Sequence, residues 1–122
     1  MTPFTRAILK HRQDRRLSDF VRHWDTLEAL VIRVYKSGGA LAEDENEYRR
    51  MRTWLLEDYP RWLADLEPYW RASRVAGQPA NEDPFAYLLT RSSAAECVGD
   101  WRSMQNLPAA RVALNEYLIS LR

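Results

Sequence analysis

Leu17, Phe20, Trp24, Leu27, Val31 and Val34 follow one another at intervals of 3, 4, 3, 4 and 3. A helix turns once every 3.6 residues, so this alternation holds all six side chains on one side of an α-helix. It is the seam along which helices pack together. Val21 and Tyr35 widen the stripe, while Asp19, Arg22, His23, Asp25, Thr26 and Arg33 fall outside it. The run ALVIRVY near its end is apolar almost all round, which calls for neighbours on several sides. Ser37-Gly38-Gly39 then supplies a stop, because glycine readily takes the left-handed conformation that closes a helix. The pattern predicts a central core helix over about 17–36. At about two and a half heptads it is too short for a free coiled coil, so the seam belongs inside a domain.

The rest of the chain carries helix punctuation and no strand signal of any strength. Thr2-Pro3 suits the start of a short helix at about 3–13, with Phe4, Ala7 and Ile8 on one face. HRQDRR (11–16) is polar all round and reads either as helix in solvent or as a break. A helix at about 44–58 is capped by Asp44, has a Glu45–Arg49 pair one turn apart, and turns Tyr48, Met51, Leu55 and Trp54 inward. Pro60 and Pro68 each open a new short segment, since proline inside a helix loses a hydrogen bond and clashes with the preceding turn. VAGQPANED (75–83) is the most loop-like stretch, and Asp83-Pro84 starts a helix lined by Phe85, Leu88 and Leu89. Ser93 and Glu96 fit a capping box ahead of Ala94, Cys97, Val98, Trp101 and Met104. Pro108 opens a last helix with Ala110, Ala113, Leu114, Tyr117, Leu118 and Leu121 on its inner stripe. The expectation is an all-α, compact, single-domain bundle spanning 1–122, with about six to eight short helices around the one at 17–36.

Composition narrows the functions. Charged residues make up 29% of the 122 and hydrophobic ones 46%, a globular balance. No apolar run approaches the roughly 20 residues that span a bilayer, and the N-terminus lacks the apolar centre of a secretory signal. Cys97 is the single cysteine and has no internal partner. These features predict a cytoplasmic protein. The net charge is only +1, but residues 1–36 carry +4 and residues 37–83 carry −4. Those two regions can attract each other within one fold or between subunits.

No motif for catalysis, cofactor or metal emerges. His11 and His23 lie twelve residues apart without the Glu-x-x-His or His-x-x-x-His spacing that helical bundles use for metals. Asp19 and His23, one turn apart on the polar face, read as a solvated pair. Cys97 falls in an apolar stripe beside acidic Glu96 and Asp100, the opposite of the electropositive setting a reactive thiol needs. Four glycines, only two of them adjacent, do not build a phosphate loop. Glu43, Asp44, Glu45 and Glu47, with Glu57-Asp58 and Glu82-Asp83, sit where helix ends place capping carboxylates.

Two binding readings remain. Five Trp, six Tyr and three Phe, together with sixteen Arg, supply the residue types enriched at interface hot spots. A non-enzymatic protein–protein interaction or assembly module that self-associates is therefore the leading expectation. The alternative is a nucleic-acid-binding subunit that lays Arg6, Lys10, Arg12, Arg15 and Arg16 on a phosphate backbone, with Arg22 and a second cluster at Arg49, Arg50 and Arg52 nearby. Trp54, Trp62 and Trp70 recur every eight residues, with Pro60 and Pro68 ahead of the last two. Eight residues advance about 80° past two turns, so the three rings cannot share one face of a straight helix. Trp54 and Trp62 are expected to be buried, and Tyr69, Trp70 and Arg71 to form an exposed corner that meets a partner.

Overall fold

In a computed structural model, residues 3–72 and 82–122 are described, with side chains from residue 15 onward. The described residues form six α-helices and one 3₁₀ turn, with no strand: α1 (Pro3–Ser37), α2 (Ala42–Asp58), the 3₁₀ turn (Tyr59–Arg61), α3 (Leu63–Ala72), α4 (Pro84–Leu89), α5 (Ala94–Gly99) and α6 (Trp101–Ser120). The expected bundle is what forms, around the expected helix. All six seam residues are buried, joined by Leu30.

The central helix is longer than the seam. HRQDRR lies inside α1, which runs unbroken for 35 residues. Arg and Gln are strong helix formers, and no glycine or proline interrupts the run, so polarity alone does not break it. Thr2 and the loop residues 75–81 lie outside the described residues, and so do the side chains of Phe4, Ala7 and Ile8. At the other end Gly38 takes φ +80°, and its N–H donates to Val34 O at 3.1 Å. A side chain here would have to enter a backbone region that L-residues avoid.

This stop turns the chain back on itself. Arg33 on α1 pairs with Asp44 on α2 at 2.5 Å, while His23 meets Trp54 and Phe20 meets Trp62. Rising residue numbers on α2 thus meet falling ones on α1, and the two helices are antiparallel. α6 also runs antiparallel to α1, with Arg111 beside Asp25 and Glu28, and Leu118 and Leu121 beside Leu17 and Val21. α3, α4 and α5 pack against α6. One continuous core joins all the helices, built around Trp24, Tyr48, Phe20 and Phe85.

Capping decides several boundaries. Asp83 accepts from the N–H groups of Phe85 and Ala86, as Asp83-Pro84 predicts. Asp44 is not the N-cap of α2. It sits in the first turn and its carboxylate reaches back to Leu41 N–H at 3.0 Å. Ser93 caps α5 through Glu96 N–H, but Glu96 turns to Ser92 instead of closing the box on Ser93.

The prolines act differently from the sequence expectation. Pro60 lies in the 3₁₀ turn, but Pro68 lies within α3 and Pro108 within α6. An interior proline costs about 3 kcal/mol. Beside Pro68, Leu66 and Trp70 are buried, and beside Pro108, Leu107, Ala109 and Ala110 are buried. Each large apolar side chain contributes roughly 1.5–3 kcal/mol on burial, so packing carries both helices through the lost hydrogen bond.

Candidate functional site

The three tryptophans of the octad separate. Trp62 and Trp70 are buried, 3% and 6% exposed, whereas Trp54 is 53% exposed. This reverses the expectation for Trp54 and Trp70. Tyr48, Met51 and Leu55 set the inner stripe of α2, and Trp54 stands about 100° from Leu55. Because α3 continues through Pro68, Trp70 shares a face with Leu66 one turn earlier and follows it into the core. Of the proposed corner, Tyr69 is half-buried against Tyr117 with ring centroids 5.9 Å apart. Arg71 is exposed, bonded to Glu67 at 2.6 Å and lying 4.8 Å above the Trp70 ring.

Trp54 instead stands in a groove of about 470 Å³. Arg16, Asp19 and His23 of α1 form one wall. Trp54, Glu57 and Asp58 of α2, with Arg61 of the 3₁₀ turn, form the other. The His23 ring meets the Trp54 ring edge-on, 4.6 Å between centroids and 73° between planes. Asp19 pairs with Arg22 at 2.9 Å and does not orient His23. Asp58 is held twice, by Arg61 at 3.1 Å and by the Trp62 indole N–H at 3.2 Å. Among the described residues, Arg16 and Glu57 make no ion pair or side-chain hydrogen bond.

The outer face of α2 has an order of its own. Glu47, Arg50, Trp54 and Glu57 follow at intervals of 3, 4 and 3, and Arg61 of the 3₁₀ turn comes four residues later. All but half-buried Glu47 are exposed. This spacing matches that of the core seam and stands in the sequence, but only one member is apolar, so hydrophobic periodicity does not mark it.

Of the other candidate nucleic-acid contacts, Arg15 and Arg16 are exposed, while the side chains of Arg6, Lys10 and Arg12 lie outside the described residues. The second basic cluster divides: Arg49 bonds Asn46, Arg50 is exposed, and Arg52 donates to Leu89 O at 2.8 Å, tying α2 to the end of α4.

Two further grooves are open. One of about 730 Å³ lies at the α1–α2 turn, bordered by the Arg33–Asp44 pair with Glu43 and Glu47. The other, about 500 Å³, lies between α1 and α6 over Leu17, Val21, Leu118 and Leu121.

The chemistry candidates of the sequence turn into structural contacts. Cys97 is buried with its sulfur 3.2 Å from the Tyr48 hydroxyl, and burial pushes the thiol up to about 11. A thiol held neutral is a poor nucleophile. The Tyr87 hydroxyl donates to Asp100 at 2.7 Å and holds that carboxyl below the usual range, with help from Ser103, the Arg102 N–H and Arg91. Asp100 also caps α6. Its extended backbone ends α5 and restarts the chain, which is why Trp101 leaves the stripe of Cys97 and stands 64% exposed. Among the described residues no group of three or more His, Cys, Asp or Glu can hold a metal ion, and no helix is long and apolar enough to cross a membrane.

Compared with known proteins, the chain matches no family model, and no curated protein or solved structure is significantly similar to it.

Proposed function

We propose that this chain is a non-enzymatic interaction module that assembles with itself. The observation that carries the reading is the exposure of Trp54 and Trp101, both more than half open to solvent in a chain that buries its other three tryptophans. Trp is the residue most often found at interface hot spots, because a large rigid ring loses little conformational freedom on docking. A cytoplasmic setting goes with this reading, since the lone cysteine is a buried thiol. Size-exclusion chromatography with light scattering at two protein concentrations tests it. The expected result is a mass above 14.4 kDa that rises with concentration. A strict monomer at both concentrations overturns it.

Nucleic-acid binding is the second reading, supported by the exposure of Arg15 and Arg16 at the start of the described side chains. Asp19, Glu57 and Asp58 in the same groove as Arg16 repel phosphate and rank it below self-assembly. Binding of labelled RNA and DNA at about 50 mM salt, where phosphate contacts are strong, tests this reading. Replacing Arg12, Arg15 and Arg16 together abolishes such binding if it holds, and the absence of any shift at that salt removes it.

A further inference from the structure

We propose that two copies of this chain pair through their α2 helices, antiparallel, across a twofold axis at Trp54. The inference rests on the self-assembly reading and names the surface that carries it.

A twofold interface uses the same patch on both partners, so the patch must complement itself. In an antiparallel pair, a residue a given distance before the axis meets the residue at about the same distance after it. With Trp54 on the axis, Arg50 meets Glu57 of the second copy, and Glu47 meets Arg61. Positive faces negative in both cases, and each contact occurs twice by symmetry. A parallel arrangement in register would instead set Arg50 against Arg50 and Glu57 against Glu57.

The side chains are available for this. Among the described residues, Glu47, Arg50 and Glu57 make no ion pair or side-chain hydrogen bond within the chain. Arg61 pairs, among the described residues, only with half-buried Asp58, which keeps its bond from the Trp62 indole N–H when Arg61 changes partner. The Trp54 ring meets the His23 ring edge-on, a contact that limits its freedom before any partner docks. An aromatic ring at the centre with charges at the rim is the arrangement in which buried aromatics contribute most to affinity and charges set register. α2 is about 25 Å long at 1.5 Å per residue, and the stripe runs along most of it.

Sedimentation velocity of the full chain over a range of concentrations tests the proposal, with circular dichroism to confirm that each variant stays helical. The wild-type chain is expected to dimerise, and Trp54→Ala to weaken the dimer at least roughly 30-fold. Arg50→Glu and Glu57→Arg each weaken it, and the two reversals combined in one chain restore it, because position 50 meets position 57 of the other copy. A wild-type monomer at every concentration overturns both the pairing and the self-assembly reading. A dimer unaffected by Trp54→Ala and by both single reversals overturns the α2 pairing alone and leaves self-assembly standing.

Discussion

The carboxylate of Glu45, on α2, accepts hydrogen bonds from the backbone N–H groups of Ala94 and Ala95 at the start of α5, at 2.7 and 3.3 Å. Nearly fifty residues separate the partners in sequence. α5 has only six residues, and its own cap, Ser93, satisfies just the Glu96 N–H. The N–H groups of Ala94 and Ala95 are satisfied from a different helix, and a negative charge there also suits the helix dipole. The expected pairing of Glu45 with Arg49 does not form, and Arg49 bonds Asn46 instead.

Glu45→Ala is therefore expected to lower stability by about 1–3 kcal/mol, because it leaves two N–H groups without their charged acceptor. Arg49→Ala is expected to change stability by less than about 0.5 kcal/mol. Urea unfolding of the two variants beside the wild type checks the difference. Equal losses would mean that the local pair, and not the long-range cap, is what Glu45 supplies.

What the sequence discloses and what it hides divide along physical lines. The seam at 17–34 is legible because burial is written as period, and every member of it is buried. Gly38 and Asp83 are legible because local backbone chemistry fixes them. The Glu45 cap is not, since it depends on where two helices meet in space. Helical spacing from Ser93 onward puts Trp101 in the core stripe, but the break at Asp100 turns it outward. A helix start at Pro68 would leave Trp70 at the surface, but packing on both sides carries α3 past the proline and buries the ring. The charged stripe around Trp54 has full periodicity, but its order of charges gains meaning only once α2 is known to leave that face open.

Trp70 and Trp54 should respond in opposite ways to truncation. Trp70→Ala removes a buried ring next to Leu66 and the face on which Arg71 stacks, and is expected to destabilise the fold by about 3–5 kcal/mol. Trp54→Ala removes a ring already half in water and is expected to cost the monomer less than about 1 kcal/mol. Chemical denaturation at a concentration too low for association separates the two. A mild Trp70→Ala would show that α3 is loosely held.

Arg111 clamps α6 to α1. Its Nε donates to Glu28 at 2.8 Å, and a terminal nitrogen bonds both Glu28 and Asp25. Arg111→Ala strands the half-buried Glu28 carboxylate, and a loss of about 1.5–3 kcal/mol is expected. Arg22→Ala, in the exposed Asp19–Arg22 pair, serves as the comparison and is expected to lose less than about 0.5 kcal/mol. Thermal unfolding in low and high salt checks both, with the larger loss expected for Arg111→Ala in either buffer.

The buried hydroxyls and thiol set an alkaline limit on the fold. Burial raises Tyr48 and Tyr59 well above the ordinary tyrosine value, with proximity to Cys97 adding to the first and a 2.6 Å bond to Asp83 adding to the second. Burial likewise pushes Cys97 up to about 11. Above about pH 9 the unfolded chain begins to release these protons while the folded chain keeps them, so rising pH favours unfolding. Each group contributes a slope of about 1.4 kcal/mol per pH unit once its unfolded form has ionised, and the stability they provide is fully present below that range. Urea midpoints should stay level from pH 7 to about 8.5 and fall steadily to pH 11. Tyr59→Phe removes one ionising group, so its midpoint should fall less steeply over the same interval, from a lower starting value because Asp83 loses a donor. An identical slope in the variant would show that Tyr59 ionises as readily in the folded chain as in the unfolded one.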